Sequence, residues 1–179
     1  MARRQLLVAF AALGIIAGSA AQAKAQDGFT VGYADAGPIL GLGGLGGADF
    51  AIGGRYEVGF KELPDLGNGI LGIQAAVDYY NVDYTFLNDD SFTYIPISVV
   101  GNYHFNMSNK KWDPFLGIGL GYLYARYDCG TFCGSASTGG VYLVGRAGMR
   151  YFMKENLAFY ADVGAGAASL DVGLVWKLK

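Results

Sequence analysis

The chain has 179 residues, of which 53% are hydrophobic, 15% aromatic and only 16% charged, with a formal net charge of −2. A mildly acidic chain lacks the basic footprint that nucleic-acid binding requires. Past the first twenty residues no apolar run is long enough to cross a bilayer as a helix, so so greasy a chain enters a membrane only as a closed barrel.

The N-terminus reads as an export signal: Arg3 and Arg4 precede the apolar stretch Leu6 to Ala17, and Ala21-Gln22-Ala23 and Ala23-Lys24-Ala25 are small-residue cleavage patterns. The stretch is short for a spanning helix and is broken by Gly14, Gly18 and Ser19. Residues 1–25 are therefore expected to leave as a signal peptide, and 26–179 to form one domain. Loss of Arg3, Arg4 and Lys24 moves the formal charge from −2 to −5.

Turn residues divide the remainder into eight strand-length pieces, near 28–35, 48–61, 69–82, 92–106, 114–127, 138–153, 157–166 and 169–178. The first connection, 36–47, contains Gly41-Leu42-Gly43-Gly44-Leu45-Gly46, which matches Gly-x-Gly-x-x-Gly letter for letter. That fingerprint binds dinucleotides only between a buried parallel strand and a helix. No helix follows, so a flexible external loop is expected.

The second strand shows the governing pattern. Phe50, Ile52, Gly54, Tyr56, Val58 and Phe60 alternate with Ala51, Gly53, Arg55, Glu57, Gly59 and Lys61. Strand side chains alternate between faces, so one face suits hydrocarbon while the other carries small and charged groups, as in a transmembrane barrel. The third strand sends Leu71, Ile73, Ala75, Val77 and Tyr79 outward and Gln74, Asp78 and Tyr80 inward. In the fourth, Ile95, Ile97, Val99, Tyr103 and Phe105 face out, opposite Ser98, Asn102 and His104. The fifth has Leu116, Ile118, Leu120, Tyr122 and Tyr124 outside and the column Gly117, Gly119, Gly121 inside, which leaves room for long residues of facing strands. Inward candidates on the last three strands are Arg146 and Arg150, Tyr160 and Asp162, and Asp171 and Lys177.

The expected fold is thus all-β: an eight-stranded antiparallel up-and-down transmembrane barrel behind a cleavable signal peptide. About nineteen residues per strand with its connection suit eight strands, whose interior is just wide enough for side chains to fill. Arg55, Lys61, Arg146, Arg150 and Lys177 nearly cancel Glu57, Asp78, Asp162 and Asp171. Buried charges must be paired, so these residues and His104 are expected to plug the lumen. A narrow porin-like path for ions or small solutes is the alternative. A soluble lipocalin-like barrel would need the faces reversed.

Cys129 and Cys133 lie in the connection 128–137, where an oxidising compartment and a flexible Gly130 favour a disulfide. No further thiolate or imidazole supports a metal site there. His104, the sole histidine, has Ser108 four residues later, a spacing unlike the deacylase His-x-Ser-Asn signature. It points inward, so it is read as part of the interior network; no enzyme activity, catalytic residue, cofactor or metal is expected. Aromatic residues toward strand ends, such as Tyr103, Phe105, Tyr151 and Trp176, suit lipid headgroups.

Gly53-Gly54-Arg55-Tyr56-Glu57, Pro96 to Phe105, Pro114 to Tyr122 and Asp171 to Trp176 resemble the small outer-membrane β-barrel superfamily of opacity proteins, Ail and OmpX adhesins and the OmpA transmembrane domain. The chain closes on Trp176-Lys177-Leu178-Lys179 rather than on the family's usual final aromatic. The resemblance implies a Gram-negative outer membrane, contact with lipid and lipopolysaccharide, insertion by the assembly machinery, and sometimes adhesion to a host or cell-surface ligand through external loops. It passes on no active site, and a monomer is expected.

Overall fold

The computed structural model describes residues 28–44, 50–84, 90–128 and 135–179. Eight strands form a closed antiparallel barrel in sequence order: β1 (Ala34–Gly44), β2 (Phe50–Leu63), β3 (Gly69–Tyr84), β4 (Asp90–His104), β5 (Trp112–Asp128), β6 (Ser135–Lys154), β7 (Leu157–Ala165) and β8 (Ala168–Lys177). The ring closes where β1 pairs with β8, so the backbone polar groups of the wall are satisfied within it, as hydrocarbon demands.

The first strand is displaced from its expected place. Residues 34–44, not 28–35, form β1, and Gly41 to Gly44 belong to the wall rather than to an external loop. Glycines there permit close packing of strands. A Cβ on Gly37 would lie 1.8 Å from the Leu174 carbonyl oxygen of β8, while Leu40 and Leu42 point outward. Leu45 and Gly46, like residues 1–27 and the cysteines, fall outside the described residues.

Residues 28–33 instead turn into the periplasmic mouth. Gly32 N–H donates to Gly59 O at 2.8 Å and Gly59 N–H to Tyr33 O at 2.9 Å. Phe29 and Tyr33 are buried together in the barrel, their ring centroids 5.0 Å apart. Gly59 has to be glycine, since a Cβ would stand 2.0 Å from the Thr30 carbonyl oxygen.

The side-chain faces follow the alternation. Ile97, Ile118, Leu120, Val141 and Leu143 are exposed on the outer wall, and Arg146 and Asp162 are buried inside. Ile118 and Leu143, each 74% exposed, are the most exposed aliphatic side chains among the described residues of the outer wall. A lysine at position 149, which pairs with Ala161 at the centre of β7, is expected to cost about 2–4 kcal/mol of stability in lipid, as a cation costs near the bilayer midplane. Equilibrium urea unfolding in vesicles checks this.

A β-bulge in β2 breaks the parity there. The β2–β3 register shifts between Gly59 and Lys61, so Lys61 pairs with outward Leu71. Lys61 is therefore exposed outside rather than inside the lumen, because one extra residue in a strand moves everything beyond it to the other face. Lys177 is likewise exposed, at the periplasmic rim, its ammonium 5.5 Å from the Tyr33 ring centroid.

The wall is uneven in height. β5 and β6 have 17 and 20 residues, β7 and β8 only 9 and 10. About 9–11 residues cross the hydrocarbon, so β3 to β6 rise beyond it as a four-stranded flange. β6 pairs with β5 along Ser135–Tyr151 but with β7 only from Gly145 downward. Ser135 to Val144 therefore has one unpaired edge among the described residues.

Candidate functional site

The lumen is occupied by side chains in two charged layers. In the upper layer, toward the extracellular mouth, Arg55 on β2 donates to Asp78 on β3 at 2.8 Å and to Asp171 on β8 at 2.7 Å. Arg146 on β6 donates to Asp171 Oδ2 at 2.8 Å, to Asp162 on β7, and to the carbonyl oxygen of Ala168. Two guanidiniums therefore bridge three carboxylates drawn from different strands.

The lower layer centres on Arg150, fully buried on β6. It pairs with Glu57, its Nη1 lies 3.1 Å from Asp113 Oδ2, and its Nε lies 3.1 Å from Asp35. The rings of Phe29, Phe115 and Tyr160 surround its guanidinium at 5.0, 5.5 and 5.7 Å from their centroids, an arrangement favourable to a desolvated cation. His104 sits between two carboxylates, with Nε2 2.7 Å from Glu57 and Nδ1 2.9 Å from Asp113. An imidazolium donates to both at once, which a neutral ring with its single N–H cannot do. Phe29 stacks on that ring at 3.7 Å.

Neutral groups join the layers. Asn102 donates to Glu57 at 2.9 Å, Gln74 is within 3.2 Å of both Glu57 and the Tyr160 hydroxyl, and Tyr160 donates to Asp162. At the rim, burial and neighbouring Asp35, which accepts from the Tyr33 hydroxyl at 3.1 Å, push that phenol above its ordinary range.

The structure thus places Arg55, Glu57, Asp78, His104, Arg146, Arg150, Asp162 and Asp171 together inside the barrel, all buried. Sequence reasoning missed Asp35, Asp113, Gln74 and Asn102 as network members. Asp113 falls just outside the expected fifth strand, although it directly precedes Pro114 in an alternating run. The glycine column also serves nearer neighbours than expected: a Cβ on Gly117 would stand 2.0 Å from Asn102 Oδ1 and one on Gly121 2.2 Å from the Tyr142 ring, both on adjacent strands. Cys129 and Cys133 lie outside the described residues.

Above the upper layer the flange reverses character. Its inner face carries Tyr80, Tyr94, Phe92 and Tyr127, with Phe92 4.6 Å from Tyr127 and 6.2 Å from Tyr94.

A closed ring of eight antiparallel strands, aliphatic outside and charged within, is the architecture of a small integral outer-membrane barrel. The chain belongs to the outer membrane protein beta-barrel domain family, whose model matches residues 8–172. That membership puts it in an outer membrane of the Gram-negative type. The crystal structure of the outer membrane protein OprG from Pseudomonas aeruginosa is similar over 84% of this chain and 98% of that one, at 15% identity and a TM-score of 0.56. Ail, the attachment invasion locus protein of Yersinia pestis, covers 81% of this chain and 93% of its own at 16% identity and 0.48. Neisserial surface protein A covers 82% and 96% at 18% and 0.49. Curated protein sequences give no significant match.

Proposed function

We propose that this protein is a structural and surface-interaction barrel, without enzymatic activity, whose lumen is plugged by the ion-pair network and whose extracellular flange meets its partners. The observation that carries the reading is the unpaired edge of β6 above a lumen filled with side chains. Residues Ser135 to Val141 are all exposed and include no charge and no proline. Proteins that avoid edge contacts place lysine, proline or a bulge there. An unguarded edge offers backbone donors and acceptors to an extended partner strand. Lipopolysaccharide and host or cell-surface molecules are the partners this position makes available. Residues 1–25 serve as the cleaved export signal, and Cys129 and Cys133 form a disulfide.

The test is binding of the barrel, reconstituted in lipid nanodiscs, to lipopolysaccharide vesicles and to extracellular-matrix proteins. Thr138→Lys with Gly140→Lys places charges along the edge, where the added Gly140 Cβ has nothing within 4 Å. The double variant is expected to weaken partner binding at least about tenfold while unfolding shifts by under about 0.5 kcal/mol, as for ordinary surface substitutions. Planar-bilayer recording is expected to show no steady single-channel steps. Absent binding together with steady steps altered by Arg146→Ala would replace this reading with that of a narrow channel.

A further inference from the structure

The interior charges do not balance, and the shortfall is localised. With Lys61 outside and Lys177 at the rim, the upper layer sets Arg55 and Arg146 against Asp78, Asp162 and Asp171. The lower layer sets Arg150 and the His104 imidazolium against Asp35, Glu57 and Asp113. Lys177 is the register partner of Asp35 across the β1–β8 seam, so a third cation stands beside the lower layer. The upper layer has no such neighbour among the described residues. The external segments 45–49, 85–89 and 129–134 contain no lysine, arginine or histidine that could supply one.

A small void of about 20 Å³ adjoins the surplus carboxylate. Asp78, Asp162, Asp171, Arg55, Arg146, Ser98 and Tyr142 are among its walls, and its size suits a single water-sized occupant. Asp171 is 3% exposed, and both guanidiniums use its Oδ2, whereas Oδ1 has no hydrogen-bond partner. Tyr80, 1% exposed, forms with Ala51 the apolar cluster against which Ala167 of the void's wall packs, and its hydroxyl is also without a partner. Two buried oxygens thus lack partners beside a surplus negative charge. A buried charge left uncompensated is strongly unfavourable.

We infer that this void under the extracellular mouth binds one small monovalent cation, an alkali ion or an ammonium group, against Asp171. A single charge completes the balance. A surplus of one negative charge calls for a monovalent ion rather than a divalent one, and among the described residues no three His, Cys, Asp or Glu side chains are grouped to chelate a metal. Hydroxyl and carboxylate oxygens are the donors such hard cations take.

Urea unfolding of the full barrel in a zwitterionic detergent tests the assignment, with folded and unfolded forms separated by gel mobility. Chloride salts of sodium, potassium, ammonium and N-methylglucamine are compared at constant ionic strength. Above the dissociation constant, each tenfold rise in a fitting cation is expected to raise the folded-to-unfolded ratio about tenfold, while N-methylglucamine, too large for the void, has no effect. The sodium, potassium and ammonium arms separate an alkali ion from an ammonium group. Asp171→Asn, and independently Asp78→Asn, leave two carboxylates for two guanidiniums and are expected to abolish the dependence; the second covers failure of the first to fold. Equal unfolding in all four salts overturns the site, as does a cation dependence that survives both substitutions. So does stability that ignores the cation but grows as pH falls, because a proton then neutralises the surplus. The partner-binding assay of the flange is unaffected by any of these outcomes.

Discussion

Replacing Arg150 with methionine is expected to lower the unfolding free energy by about 3–5 kcal/mol, the usual consequence of removing one partner from a buried ionic cluster. Arg150 is the hub of the lower layer, with Asp35, Glu57 and Asp113 all in contact with its guanidinium. Methionine keeps much of the volume between Phe29, Phe115 and Tyr160 but leaves three carboxylates with His104, the rim cation Lys177 and neutral donors such as the Tyr33 hydroxyl and the Gln74 and Asn102 amides. The deficit is electrostatic, so it should shrink when a carboxylate is also removed: Glu57→Gln should cost less in the Arg150→Met background than in the wild type. Urea unfolding of the four combinations in lipid vesicles measures both numbers. A loss under about 1 kcal/mol for Arg150→Met would mean that the layer is wet enough for water to replace the guanidinium.

The second large effect is expected from the smallest substitution. Gly59→Ala puts a methyl group 2.0 Å from the Thr30 carbonyl oxygen and 3.4 Å from the Phe29 ring. A backbone atom cannot swing aside as a side-chain tip can, so residues 28–33 must leave the mouth. Burial of Phe29 and Tyr33 is then lost, worth about 1.5–3 kcal/mol for each ring. The ring stacked on His104 and facing Arg150 also goes. Limited chymotrypsin digestion should cut the variant after Phe29 or Tyr33 while leaving the strands intact. Continued protection of both residues, with unchanged unfolding, would show that the segment does not depend on its contact with Gly59.

Much of the wall was legible because strand parity is a local property. The alternation from Phe50 to Gly59 and from Ile95 to Phe105 assigned faces without knowledge of any neighbour, and turned Arg55, Glu57 and His104 to the buried side. It failed where geometry depends on two strands at once. The β-bulge between Gly59 and Lys61 is a mismatch between β2 and β3, and nothing in Val58-Gly59-Phe60-Lys61 alone announces it. Gly41 to Gly44 read as a loop because glycine weakens an isolated strand. Inside a closed wall, the neighbouring chain approaches Gly37 so closely that a side chain cannot fit. Gly28-Phe29-Thr30-Val31-Gly32-Tyr33 alternates as a true strand does, and only the space left by Gly59 turns it into the mouth.

The sequence by itself determined that the chain lines hydrocarbon with one face and charge with the other, because period-two alternation decides orientation within each strand independently. Which charges meet which was decided only by the closed ring. Asp171 reaches Arg55 across the β8–β1–β2 arc, and Arg150 reaches Glu57 across the lumen at a sequence separation of 93. Such pairings depend on stagger, bulges and barrel diameter, and these arise when eight strands close on one another.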